Sequence, residues 1–229
     1  MSKTQSLLTL SLFSRLKLEN SSKPLTMDYQ YTLLNDPHPE IRYKLALRSD
    51  STEAILRALQ NDSKKVQKAI ANNPNIKQII NQIETKTPDL IEQKRLARHW
   101  NPSVRIALVK SSNTSSSILE TMVFDEDPKI RKFLAINPRT PYSTLLQLAK
   151  DPSISVRIKL IDRLDLDDEI LKILLRDKST KVIRQLLVKY RNRILELEKK
   201  QSFLNWKKSR LSESNCLDAL SLRILHESG

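Results

Sequence analysis

A β-branched residue, usually followed by arginine, recurs along the chain at Ile41-Arg42, Val66-Gln67, Val104-Arg105, Ile130-Arg131, Val156-Arg157 and Val182-Ile183. The intervals are 25, 38, 26, 26 and 26 residues. Other columns move with this anchor. Four and five residues after it stand Leu45-Ala46, Ile70-Ala71, Leu108-Val109, Leu134-Ala135, Leu160-Ile161 and Leu186-Leu187. A second apolar pair follows about half a unit later, at Ile55-Leu56, Ile79-Ile80, Ile118-Leu119, Leu145-Leu146 and Ile170-Leu171. A unit this short cannot enclose a core by itself. It buries its apolar face by stacking on copies of itself.

Each unit reads as turn, helix, turn, short helix. Apolar pairs at helical spacing give each helix one buried face. Turn signals precede the anchors at Asp36-Pro37, Asp62-Ser63, Asn101-Pro102, Asp127-Pro128, Asp151-Pro152 and Asp177-Lys178. Asn or Asp before Pro predicts an N-cap with Pro in the first turn, where its missing N–H costs nothing. Asn73-Pro74, Asn137-Pro138 and Thr140-Pro141 split the unit a second time. The long interval predicts an insertion near residues 84–99 that carries an extra helix. The only glycine of 229 residues is Gly229. That excludes the Gly-rich loops that cradle nucleotides and argues against tight hairpins. The reading is therefore all-α: a solenoid of about six repeats over 35–200, capping helices over 1–34, and a tail or capping helix over 201–229.

The segment Ile130–Arg163 reads IRKFLAINPRTPYSTLLQLAKDPSISVRIKLIDR. It resembles the leucine-rich repeat variant family, whose unit runs approximately NPxTPxxxLxxLAxDPxxxVRxxLA. Asn137-Pro138, Thr140-Pro141, Leu145, Leu148-Ala149, Asp151-Pro152 and Val156-Arg157 carry the match, which extends over about 35–84 and 99–178. The resemblance implies a right-handed, HEAT-like superhelix of alternating α- and short 3₁₀-helices. Some members hold an iron–sulfur cluster on an N-terminal cysteine group. This chain has a single cysteine, Cys216, so that cofactor does not carry over, and no cofactor is expected.

Charge is unevenly placed. Residues 176–210 hold twelve basic side chains against three acidic ones, so nine of the fourteen net positive charges fall there. Lys181, Arg184, Lys189, Arg191, Arg193, Lys199, Lys200, Lys207, Lys208 and Arg210 are the candidates for binding nucleic acid, an acidic protein or another polyanion. Val182, Leu186, Leu187, Tyr190, Ile194 and Leu197 form the inward set, with Lys189, Arg193 and Lys200 on the outer face. Tyr190 and Trp206 stand beside cations and read chiefly as core or capping residues, with base stacking as the alternative. The anchor arginines Arg42, Arg105, Arg131 and Arg157 read as a structural ladder, in which Asp36, Asp125 and Asp151 stand six residues ahead of Arg42, Arg131 and Arg157. A phosphate-binding ladder is the competing reading.

Chemistry finds little support. His38, His99 and His226 lack a metal-binding partner one helical turn away. Cys216 has no histidine at a distance that would activate it as a nucleophile. The acids Asp165, Asp167, Asp168 and Glu169 suit a helix N-terminus better than a metal loop. The apolar stripe Leu7–Leu18 reads as a cap for the stack, with a targeting peptide as the alternative. No run is long enough to span a membrane, and a single cysteine suits the cytoplasm. Three readings follow: a non-enzymatic repeat protein binding a polyanion, a protein–protein scaffold, and, remotely, a HEAT-like alkylpurine DNA glycosylase using Asp89 and Trp100. No small-molecule substrate is evident.

Overall fold

The computed structural model describes Arg15 and residues 23–199. It is all-helical. Among the described residues there are thirteen α-helices and no strand. They are α1 (Met27–Leu34), α2 (Pro39–Leu47), α3 (Glu53–Ala58), α4 (Lys64–Ala71), α5 (Pro74–Thr85), α6 (Leu90–Ala97), α7 (Pro102–Lys110), α8 (Ser116–Thr121), α9 (Pro128–Ile136), α10 (Tyr142–Leu148), α11 (Ile154–Ile161), α12 (Asp168–Leu175) and α13 (Thr180–Lys199). None is long and apolar enough to cross a membrane. No described residue has a positive φ, so a chain whose one glycine is its last residue meets no steric conflict in its turns. The resemblance implies 3₁₀ geometry for the shorter helices. They are instead α-helical, with 3₁₀ turns at Leu59–Asn61 and Met122–Phe124.

The chain divides into two compact units, residues 1–144 and 145–229. In the first, every anchor residue is fully buried: Ile41, Val66, Val104 and Ile130 are each 0% exposed. Helix α2 packs on α4, and α7 packs on α9. The second unit repeats the arrangement, with α13 packed on both α11 and α12 around Val156, Leu160, Ile170, Leu174, Val182 and Leu186.

The helix expected near residues 84–99 is present, as α6, but the rest of the long interval is built differently from an insertion there. Helix α5, not α4, packs against α7, and it buries Ile76 and Ile83. Helix α6 packs on α7 as α1 packs on α2. Buried Gln93 of α6 accepts the Ser115 N–H at 2.8 Å, just as buried Gln30 of α1 accepts the Thr52 N–H at 3.2 Å. So α6 is the ordinary short helix of its unit, and α5 fills an anchor-helix place. The irregularity lies at Asn73-Pro74, where α4 turns directly into α5. Ile79-Ile80, expected on a short helix, belongs to this anchor-like helix.

Inside each compact unit, polar side chains tie turns to helix ends at fixed offsets. Ser51, Thr114 and Thr140 are buried, and each donates its hydroxyl to the carbonyl six residues earlier, on Leu45, Leu108 and Leu134, at 2.5, 2.5 and 2.6 Å. Each of these helix-end carbonyls also accepts the backbone N–H three residues on, of Arg48, Ser111 and Asn137, so the hydroxyl fills a second lone pair at the helix end. Asn73 donates to the carbonyls of Ala46 and Arg48, both at 2.8 Å. Asn137 donates to those of Val109 and Ser111 at 2.6 and 3.2 Å. In the second unit the Tyr190 hydroxyl does this work, donating to the Arg163 carbonyl.

The N-caps follow the expected pattern at Asn73, Asn101 and Asp127, each accepting the N–H two residues on, with Pro in the first turn. Asp36-Pro37 and Asp151-Pro152 depart from it. Their helices begin at Pro39 and Ile154, so these aspartates fold the preceding turn by accepting the N–H of His38 and Ser153.

Candidate functional site

The anchor arginines are consumed by the fold. Arg42 donates through Nε and Nη2 to Asp62 at 2.5 and 3.2 Å. Arg105 does the same to Asp125 at 2.8 and 3.1 Å, and Arg157 to Asp177 at 2.5 and 2.9 Å. In each case the aspartate lies 20 residues later, in the next turn. The Nη1 group donates backward, to the carbonyl six residues earlier: Asp36, His99, Asp125 and Asp151 for Arg42, Arg105, Arg131 and Arg157. The expectation that arginine meets the aspartate six residues ahead is thus corrected in detail. The arginine takes that residue's carbonyl, while its own carboxylate partner comes from the next unit. A planar fork with five donors can hold both at once, which a lysine cannot.

Sequence spacing missed two members of this ladder. Arg15 lies at ion-pair distance from Asp36, 3.3 Å, with both side chains buried. Its neighbour Ser14 is not β-branched, so the anchor rule passes over it. His99 stands where the other units have Asp36, Asp125, Asp151 and Asp177. Its Nδ1 accepts the Asn101 N–H at 3.0 Å, as those carboxylates accept the N–H of His38, Asp127, Ser153 and Ser179. An imidazole can do so only while neutral.

Burial pushes the His99 pKa below its usual value, against a smaller opposing pull from Glu53. The unfolded chain therefore binds this proton more readily, and stability is lost as pH falls below about 6.5 toward the lowered native value. His99→Asn keeps the acceptor without the titration. In urea melts at pH 7.5 and 5.5, the wild type should lose up to about 1.4 kcal/mol more than this variant. Equal losses would refute the capping role. A separate acid window opens lower. Hydrogen bonds from Arg42, Arg48 and Arg163 hold Asp62, Asp50 and Asp165 below the ordinary carboxylate range. Their contribution is full above about 3.9 and is lost below it.

Two of the ladder arginines, Arg157 and Arg105, line open grooves. That around Arg157 has a volume of about 470 Å³ and is lined by Lys150, Asp151, Arg176, Asp177 and Lys178, with Ala149, Pro152 and Ile173. That around Arg105 has a volume of about 500 Å³. Its corresponding positions carry Arg98 for Lys150, Phe124 for Arg176 and Glu126 for Lys178. The same niche is therefore basic in the second unit and mixed in the first.

Asp177 is held by Arg157, Asp165 by Arg163, Asp162 by Lys159 and Asp168 by Arg193. Asp167 caps α12 through the Glu169 N–H at 2.9 Å, as expected for this acidic cluster. Lys150, Arg176, Lys178, Lys181, Arg184 and Lys189 are exposed, and no acidic partner is recorded for them among the described residues. Lys181 and Arg184 lie one helical turn apart on α13, which begins two residues after Lys178 of the Arg157 groove.

The predicted outer stripe does not persist. Helix α13 breaks at Tyr190 (φ −114°, ψ 20°), so spacing counted through that residue no longer defines one face. Arg193 is engaged by Asp168 at 2.8 Å, and Arg191 is half-buried with a partner of its own. Tyr190 is buried, its hydroxyl bonded, and burial raises its phenol above the usual range. It is a core residue, not a stacking platform. The Lys199 side chain and Lys200, Lys207, Lys208, Arg210, Trp206, Cys216 and His226 lie outside the described residues, as do the stripe Leu7–Leu18 and the tail 201–229.

For the enzyme reading, Asp89 caps α6 through the Glu92 N–H at 2.8 Å. Trp100 stacks on His99 with ring centroids 5.5 Å apart, and Asp89 is not among the residues lining the groove beside Trp100. No group of three metal-ligating side chains gathers among the described residues. No protein-family model, curated protein or solved structure matches the chain.

Proposed function

We propose that this chain is a non-enzymatic helical-repeat protein of the leucine-rich repeat variant kind, built as a right-handed solenoid, that binds a polyanion. The observation that supports this is the groove around Arg157. Lys150, Arg176 and Lys178 line it with no acidic partner recorded among the described residues, while the neighbouring acids are engaged in ion pairs or caps. Lys181 and Arg184 extend the positive surface along α13. The ladder arginines are not part of the interface, because their donors are already used.

Nucleic acid is the favoured polyanion. Spaced cations suit regularly spaced phosphates, and such contacts fix position without reading sequence. A cytoplasmic setting suits this reading. Reversing Lys150, Arg176 and Lys178 together to Glu should weaken binding of random-sequence DNA or RNA by about 100-fold or more at 50 mM salt, and should cut the salt slope by about 2.7. Fluorescence anisotropy reads both, and circular dichroism checks the fold. Unchanged affinity in a folded triple variant would place the interface elsewhere.

A further inference from the structure

A second surface, in the first unit, has a different chemistry. A groove of about 610 Å³ runs between α6 and α8 with the 3₁₀ turn that follows it. Leu90, Ala97, Ile118 and Met122 contribute its apolar lining. Phe124 stands at its rim, 82% exposed, and Ile91 on α6 is 80% exposed. Phe124 occupies the position that Arg176 takes in the second unit, where solvent favours a polar side chain. An aromatic ring left in water beside an aliphatic trough marks a contact surface.

The rim sets the chemistry of the occupant. Lys94 and Arg98 lie one turn apart on α6 and line the same groove as Leu90. Arg57 lines the adjoining groove, which shares Ala97, Arg98 and Phe124. No acidic partner is recorded for these three cations among the described residues. The acid at this edge, Asp125, is already committed to Arg105. We infer that the groove docks an acidic amphipathic helix of a partner protein. Its apolar side chains at i, i+3 and i+4 would enter beside Phe124 and Met122, and its carboxylates would face Lys94 and Arg98. Helix α6 is eight residues, about 12 Å long, and so matches about two turns of such a ligand. A nucleic acid fits less well, because the trough is lined by aliphatic side chains where bases stack on flat rings. This inference stands independently of the Arg157 groove.

The test uses the full chain and a labelled synthetic helical peptide with Leu and Phe at i, i+3, i+4 and i+7 and Glu elsewhere, read by fluorescence anisotropy. The expected result is saturable binding. Phe124→Ala should weaken it at least tenfold, Lys94→Glu/Arg98→Glu should weaken it likewise, and a scrambled peptide of equal composition should bind at least tenfold less. Phe124 is exposed, so its truncation leaves the fold intact, and a thermal melt verifies this. Equal binding of the scrambled peptide, or an unaffected Phe124→Ala variant, would overturn the inference. So would competition by single-stranded DNA that depends on Phe124. A concentration-dependent dimer abolished by Phe124→Ala would also overturn it, by assigning the groove to a second copy.

Discussion

Arg105→Ala should destabilise the protein by about 3–5 kcal/mol, the cost of leaving one partner of a buried ion pair uncompensated. Both side chains of the Arg105–Asp125 pair are buried, at 9% and 7% exposure. Removing the guanidinium strands the Asp125 carboxylate and also frees the buried His99 carbonyl. Asp125→Ala should cost a similar amount, because it strands a cation and removes the acceptor for the Asp127 N–H. The double variant should lose well under the sum of the two, since neither charge is then left alone. Arg105→Lys should recover little, because an ammonium cannot reach a carboxylate and a backward carbonyl together. Urea unfolding of the four proteins decides this. Additive losses would mean that the ladder is not a coupled unit.

Asn137→Ala should cost about 2–4 kcal/mol. The buried Val109 carbonyl would lose its Asn137 donor, a loss of about 1–3 kcal/mol; the Ser111 carbonyl, which keeps the Thr114 N–H, and the Arg139 N–H would each lose a partner as well. Asn137→Asp separates these roles. It keeps the acceptor for Arg139 but turns a negative charge toward two carbonyl oxygens. It should therefore be at least as damaging as alanine at neutral pH. A milder effect of aspartate would show that the turn bond from the Arg139 N–H, not the reach to the Val109 and Ser111 carbonyls, is what Asn137 contributes.

Much of this architecture was legible in the chain. The anchors Ile41, Val66, Val104, Ile130, Val156 and Val182 are all fully buried, because a β-branched residue repeated with its i+4 partner has one consistent place to go. The structural role of the arginines was legible too, but their partners were not. Asp six residues ahead is close in sequence, whereas the carboxylate that closes the pair comes from a turn 20 residues on. The place of the irregularity was not legible: the column Ser51, Thr114 and Thr140 carries a hydroxyl ten residues after its anchor, but it is broken both by Ile76 after Val66 and by Leu166 after Val156, where the interval is regular. His99 was not legible as an aspartate surrogate, since only geometry shows Nδ1 accepting a backbone N–H. The basic segment was legible as composition, but pairing decides which cations remain available. Arg193 is engaged by Asp168, while Lys150, outside the segment, joins the groove.

The central claim is that the unpaired cations of the second unit hold a polyanion by charge. The most direct measurement is the affinity of the wild-type chain for random-sequence duplex DNA from 50 to 200 mM salt. If Lys150, Arg176, Lys178, Lys181, Arg184 and Lys189 each neutralise one phosphate, log K should fall with a slope of about −5.4 against log salt, a loss of roughly 2000-fold. No binding to DNA or RNA at 50 mM salt, or binding whose affinity is flat across this range, would contradict the account.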